Sequence, residues 1–274
     1  MSAPTTISET TTPQEPGVRA KTLRGLLLAR ELDTARQKRG FTTRSLAAGM
    51  SMSPAMLNRI MTGRRVPTAL EIGGLCSLLD IHPTRRHHLY RLTADADLTD
   101  WLLMTDAEEN PVSQIEAIAK TITSFDSHLI PHPLRTPAYN DAITRTIGRH
   151  PTSTTAFAQT IGTSTFLLHP QALHHPGVPG TVVREQIQHL HGTHLSRIRL
   201  LPATISPQPG FRVLDIDHFP PVVHVEHHET TVLLEHPTAT AAHIAFLHRA
   251  KGVSLTEGDT KRALGDLIDS ERYR

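Results

Sequence analysis

Residues 41–67 read FTTRSLAAGMSMSPAMLNRIMTGRRVP, and this stretch decides the fold of the first third of the chain. Thr42 can cap a short helix over Thr43–Gly49. After a three-residue break Ser53 can cap a second helix, because a serine oxygen accepts a hydrogen bond from an unpaired N–H group in the first helical turn. Pro54 suits that turn, where a missing N–H is no loss. Two short helices joined by a tight turn predict a helix-turn-helix.

Three further helices are expected around this pair. Leucines recur at helical spacing over Thr22–Arg39, where Gly40 is suited to end the helix. A fourth helix carries Leu70 to Leu79, and a fifth covers Arg85–Leu92. The sequence therefore predicts an all-α, five-helix domain over residues 21–92. Residues 1–20 are rich in Thr and Pro and are predicted to be a disordered tail.

The positive charge is concentrated in this predicted domain. Residues 21–92 hold thirteen Lys and Arg but four Asp and Glu, a net charge of +9, although the whole chain carries only +2. Residues 93–274 accordingly carry −6. A basic domain of this kind favours a polyanionic partner such as DNA.

The quoted stretch resembles the lambda-repressor-like, Xre-type helix-turn-helix. The shared features are Phe41-Thr42, Leu46-Ala47, Ser53, Arg59-Ile60 and the exit TGRRVP at 62–67. The resemblance implies that the helix opened by Ser53 lies in the major groove of DNA and that its partner helix crosses the backbone.

Two departures concern the turn and the recognition helix. Ser51 stands where the family usually has glycine, and Met61 stands where it usually has an acid. Pro54, Ala55 and Met56 occupy positions where polar base-reading residues are common, so Asn58 and Ser53 are the expected hydrogen-bonding readers. The predicted DNA-binding residues are Thr43, Arg44, Ser53, Ala55, Met56, Asn58, Arg59, Thr62, Arg64 and Arg65. Thr43 and the arginines are assigned to phosphates.

The remainder is predicted to be a linker over 93–110 and an α+β domain over 111–274 with one small sheet. Its helices are expected at Val112–Phe125, Ala138–Ile147, Val182–His194, His236–Lys251 and Thr256–Arg274. Short alternating or β-branched runs, typical of strands, lie at Thr165–His169, Ile198–Pro202, Phe211–Asp217, Val222–His228 and Thr231–Leu234.

This half resembles the C-terminal domain of WhiJ-like regulators of actinobacteria. The resemblance rests on the order of FDSHLIPHPLRTPAYNDAI, LLHPQAL, HHPGV, REQIQHL, RIRLLPATISPQPGF and VVHVEHHETTVLLEHP along the chain. It implies a DNA-binding regulator that is often paired with a small partner protein. The chain departs from the family at 130–136, where it reads IPHPLRT and the family has Val-Pro-Gly-Leu-Leu-Gln-Thr.

Other classes of protein have weaker support. Nineteen histidines raise a metal hypothesis, strongest at His224, Glu226 and His228 on one strand face. A polar strand face is more often the solvent face of a half-buried sheet, so no metal and no cofactor are predicted. Neither a phosphate loop nor a nucleophile elbow is present, and no enzyme activity is expected. A single cysteine, Cys76, fits a core thiol in a reducing compartment.

The sequence thus predicts a cytoplasmic, sequence-specific transcriptional regulator that binds double-stranded DNA as a homodimer. Its C-terminal domain is expected to bind an effector or a partner protein, and no membrane association is expected. The alternative is an antitoxin-like or anti-regulator module whose helix-turn-helix binds protein.

Overall fold

The computed structural model describes residues 20–104, 111–147, 161–227 and 230–270. Five helices form the front of the chain and confirm the predicted all-α bundle. They are α1 (Leu23–Lys38), α2 (Thr43–Gly49), α3 (Pro54–Met61), α4 (Ala69–Leu78) and α5 (Pro83–Ala94). Their apolar faces meet in one core that includes Leu32, Leu46, Leu57, Ile72 and Leu89.

The first four helices end in the same way. A residue with positive φ follows each one: Gly40 at 70°, Ser51 at 53°, Gly63 at 70° and Asp80 at 51°. After α2, Met52 N donates to Ala47 O and Ser51 N donates to Ala48 O, which satisfies carbonyls that the helix leaves unpaired. A left-handed turn is therefore present at Ser51, where the family usually has glycine.

The chain after the five-helix bundle forms an α+β region built on one mixed sheet. This confirms the predicted fold class. Its strands are β1 (Trp101–Met104), β2 (Ala119–Asp126), β3 (Thr165–Leu168), β4 (Ile198–Leu200), β5 (Phe211–Ile216), β6 (Val222–His227) and β7 (Thr230–Leu234). Its helices are α6 (Val112–Ile118), α7 (Pro137–Ile147), α8 (Gly180–Thr193), α9 (Pro237–Val253) and α10 (Glu257–Asp269). Among the described residues the strand order is β1-β7-β6-β5-β2-β3-β4. The pairs β2–β3 and β3–β4 are parallel, and the other pairs are antiparallel.

Two sequence expectations need correction here. The helix predicted over Val112–Phe125 is wrong in its second half, because Ala119–Asp126 forms strand β2 near the centre of the sheet. Within the segment predicted as a linker, Trp101–Met104 forms an edge strand that pairs with β7. The sheet consequently has seven strands over the described residues and is larger than expected.

Both faces of the sheet are covered. On one face Phe125, Val213 and Val223 pack with Leu247 and Ala250 of α9. On the other face Ile122, Leu214, Val222 and Leu233 belong to a core that continues into the five-helix bundle. The tail predicted at 1–20 (apart from residue 20), residues 105–110 of the predicted linker, His228 and residues 271–274 lie outside the described residues.

Candidate nucleic-acid interface

Side-chain caps fix the first turns of both α2 and α3. The Thr42 hydroxyl accepts a hydrogen bond from Ser45 N at 3.0 Å. In return, the Ser45 hydroxyl accepts one from Thr42 N, which completes a capping box. Ser53 Oγ accepts from Met56 N at 3.2 Å and caps α3. Hydrogen bonds between residues close in sequence thus set where both helices begin.

Helix α3 divides cleanly into a buried and an exposed face. Leu57, Ile60 and Met61 are buried against the bundle. On the opposite face, the predicted base-reading residues Ala55, Met56, Asn58 and the predicted phosphate contact Arg59 are all exposed. Met56 is 40 % exposed although it is a large apolar residue. The structure therefore brings these four side chains together on one accessible helix surface.

Not every predicted contact residue is equally available. The hydroxyl of Thr62 donates to Asn58 O at 2.8 Å, and the Ser53 hydroxyl serves as the α3 cap. Arg65 donates to Glu71 at 3.0 Å and is only half-exposed. Arg44 and Arg64 are exposed, whereas Thr43 is half-buried. Arg65 is thus tied to the start of α4, a contact that the sequence spacing does not reveal.

The acids of the front domain are all neutralised within the domain. Each of its four carboxylates lies beside an arginine, in the pairs Arg36–Asp33, Arg39–Asp80, Arg65–Glu71 and Arg85–Glu31. The pKa of Glu71 is lowered: burial acts to raise it, but the hydrogen bonds from Arg65 and Thr68 outweigh that effect. The exposed arginines of α2 and α3 therefore face solvent without a competing carboxylate among the described residues of this domain.

A second group of polar residues lies inside the C-terminal region. On one sheet face, paired positions align Ser124, Arg212 and His224 across three strands. Arg212 donates to Glu116 of α6 at 2.9 Å, and Glu116 is fully buried. Glu226 lies 3.9 Å from the same guanidinium. We call Ser124, Asp126, Arg212, His224, Glu226 and Glu116 the buried polar cluster.

Burial dominates the proton affinities in this cluster. It raises the pKa of Asp126 to about 6, despite a hydrogen bond from Ser124 and the charge of Arg212. Burial also holds the pKa of His224 well below its usual range, and the Arg212 charge adds to that effect. Sequence reasoning missed Glu116, Asp126 and Arg212, since nothing in their local pattern marks them as buried.

The histidine-rich strand differs from its expected placement. His224 is 3 % exposed, so the expectation that its strand face is a solvent face is wrong. His224 instead faces Arg212, which lies 3.4 Å from its Nδ1. Over the described ranges no group of three His, Cys, Asp or Glu side chains is placed to hold a metal ion. His228 lies outside those ranges.

The two halves of the chain are joined at the start of α1. Glu235, which follows β7, accepts a hydrogen bond from Leu23 N at 2.6 Å. Asp100 accepts from the backbone N–H of Glu235 at 2.7 Å. The guanidinium of Arg24 lies 4.1 Å from the ring centre of Trp101 on β1. We call these residues the domain junction.

Comparison with known proteins identifies two domains. Residues 27–89 match a helix-turn-helix domain, and residues 111–266 match DUF5753, a domain of unknown function. No curated protein matches the chain. None of the helices in the described residues is long and apolar enough to cross a membrane.

Two solved structures are similar to parts of the chain. One is the clp gene regulator ClgR from C. glutamicum, with 22% identity and a TM-score of 0.23; the match covers 28% of this chain and 97% of that one. The other is TrmBL2, an archaeal chromatin protein whose structure shows a novel mode of DNA binding. It has 11% identity and a TM-score of 0.30, and the match covers 83% of this chain and 93% of that one.

Proposed function

This chain belongs to the DUF5753 family, and we propose that it is a sequence-specific DNA-binding transcriptional regulator of the Xre type. The helix-turn-helix domain binds the DNA duplex. The DUF5753 domain binds an effector or a partner protein; the WhiJ-like regulators that the sequence resembles are often paired with a small partner protein. The proposal includes no enzymatic activity and no cofactor.

One observation carries the proposal. The exposed face of α3 presents Asn58 and Arg59 on a helix whose other side is buried, and Arg44 is exposed on α2. Each carboxylate of the same domain is already paired with an arginine. A short exposed helix in a domain with surplus positive charge suits the major groove, where phosphates attract the arginines.

The side chains divide into two roles. Arg44, Arg59 and Arg64 contact phosphates and fix the register of the protein without reading sequence. Asn58 is the principal reader, since an asparagine amide pairs with adenine in the major groove, and Ala55 and Met56 contact thymine methyl groups. With so few polar readers, part of the specificity comes from DNA shape.

Assembly and location form part of the same proposal. We place the protein in the cytoplasm and expect it to act as a homodimer, so that two α3 helices read half-sites about one helical turn apart or a multiple of that spacing. The buried thiol of Cys76 fits a reducing compartment.

The full chain on a duplex in a salt titration tests this function. Fluorescence anisotropy would compare the wild type with Arg44→Gln/Arg59→Gln. The slope of log affinity against log salt should be smaller in magnitude by about 2 for the double variant than for the wild type. The reason is that each arginine bound to a phosphate releases about one counterion. Arg249→Gln/Lys261→Gln, which removes two exposed cations from α9 and α10, is the matched control and should leave the slope unchanged.

Two results would reject DNA binding through α2 and α3. One is a wild-type chain that binds no duplex even at low salt, and the other is a salt slope that falls equally in the control variant. Either would favour the alternative in which the exposed α3 face, with Met56 at its centre, docks on a protein.

A further inference from the structure

A crevice lies between the five-helix bundle and the C-terminal region. Its volume is about 530 Å³, within the range of roughly 300–1,000 Å³ typical of small-molecule sites. Its walls come from α1, the α4–α5 connection, α5 and α6, and its described lining includes no residue of α2 or α3. The crevice is therefore separate from the candidate DNA-binding face.

The inner wall of the crevice is apolar. Leu27, Leu79 and Leu89 line it and are themselves buried, and Ile118 contributes a half-buried side chain from α6. Such a surface binds an apolar body by removing it from water.

The rim of the crevice is positively charged. Four cationic and two anionic side chains line it. Arg85 lies 2.6 Å from Glu31, and Arg39 lies 3.5 Å from Asp80, so both carboxylates are paired. Arg30 and Lys38 are exposed on α1 and make no ion pair with a described residue. The rim thus carries two surplus positive charges on one helix.

We propose that this crevice binds a small amphipathic anion, namely a carboxylate carried on an apolar body. The apolar part lies against the leucines, and the surplus positive charge of Arg30 and Lys38 attracts the carboxylate. Because α1 and α6 both line the site, the ligand contacts both domains at once. Any effect of the ligand on DNA affinity rests on the proposed function, but binding itself does not.

Calorimetry on the full chain tests the proposal with a matched pair of probes. 1-Naphthaleneacetate carries the charge, and 1-naphthaleneacetamide has nearly the same shape without it. We expect one acetate per chain, bound at least about fivefold more tightly than the acetamide at low salt. Arg30→Gln/Lys38→Gln should remove that preference, whereas Arg249→Gln/Lys261→Gln should retain it.

A second pair of variants tests the location. Gln114→Trp places a bulky ring in the crevice from α6 and should abolish binding of both probes, while Ser113→Trp, one position away and exposed, should not. Thermal unfolding of each variant checks that it is folded.

Three results would overturn the inference: no saturable acetate binding, equal affinity for the two probes, or unchanged binding in folded Gln114→Trp. A loss of DNA affinity in Arg30→Gln/Lys38→Gln as large as that in Arg44→Gln/Arg59→Gln would instead assign the rim to DNA. The first three results do not depend on whether the wild type binds DNA, so the two proposals can fail separately.

Discussion

At the scale of one residue, Ser51 adopts a backbone conformation that glycine would adopt more easily. Its φ of 53° lies in the left-handed region, where a side chain is disfavoured and glycine is not. The turn forms nevertheless, because Met52 N and Ser51 N both bond to α2 carbonyls. The strain is stored between the two helices of the candidate DNA-binding unit.

Ser51→Gly should therefore stabilise the protein by about 1 kcal/mol, since the strain at this position is relieved. Urea unfolding monitored by circular dichroism measures the change. Ser77→Gly, on the exposed side of α4 where φ is helical, is the control and should destabilise by about 0.5–1 kcal/mol. If Ser51→Gly is no more stable than the wild type, the turn carries no strain.

Local residue chemistry predicts part of the site and misses the rest. The caps at Thr42 and Ser53 follow from residue type and spacing, and both are confirmed. The pairing of Arg65 with Glu71 does not follow, because it depends on how the chain turns between α3 and α4. A basic residue in a sequence is thus not automatically available to a phosphate.

At the scale of elements, strand β2 explains the largest error of the sequence prediction. Covered by helices on both faces, it buries four consecutive residues, Ile122 to Phe125, instead of alternating. A strand buried on both faces loses the period of two that identifies strands, so Ile115, Ile118 and Ile122 align at helical spacing. Strand β1 was missed because four residues are too few to show a period.

The buried polar cluster also belongs to this scale, since it links β2, β5 and β6 to α6. Arg212→Met should destabilise the protein by about 3 kcal/mol, because the fully buried Glu116 loses its guanidinium partner. Adding Glu116→Gln should recover part of the loss. Equilibrium urea unfolding measures both.

Lys120→Met on β2 is the control for this prediction. Lys120 lies 3.6 Å from Asp217, but the two side chains are 70% and 71% exposed. We expect a change below about 0.5 kcal/mol. Equal effects of Arg212→Met and Lys120→Met would show that burial does not set the strength of the Arg212 pairs.

At the scale of the whole molecule, the domain junction connects the bundle to the sheet through Glu235. Burial raises the pKa of Glu235 to about 7, against the opposing effects of the Leu23 N–H and of Arg24. Asp100 adds to the increase. The folded protein therefore retains a proton that an unfolded carboxyl, with its ordinary pKa of 4.5, releases.

The contribution of that proton to stability is complete below pH 4.5 and is lost as the pH rises to about 7. Stability of the wild type relative to Glu235→Gln should fall on the order of 1 kcal/mol between about pH 5 and pH 8. Thermal unfolding across that range measures it. Glu185→Gln, at an exposed position of α8, is the control, and a difference independent of pH for Glu235→Gln would contradict the account.

Photocrosslinking tests the central claim, that the exposed face of α3 enters a DNA groove. p-Benzoylphenylalanine would replace either Met56, which is 40% exposed on α3, or Tyr90, which is 41% exposed on α5. On irradiation with duplex at low salt, the chain substituted at position 56 should crosslink to DNA and the chain substituted at position 90 should not. No DNA adduct from position 56, or equal adducts from both positions, would contradict it.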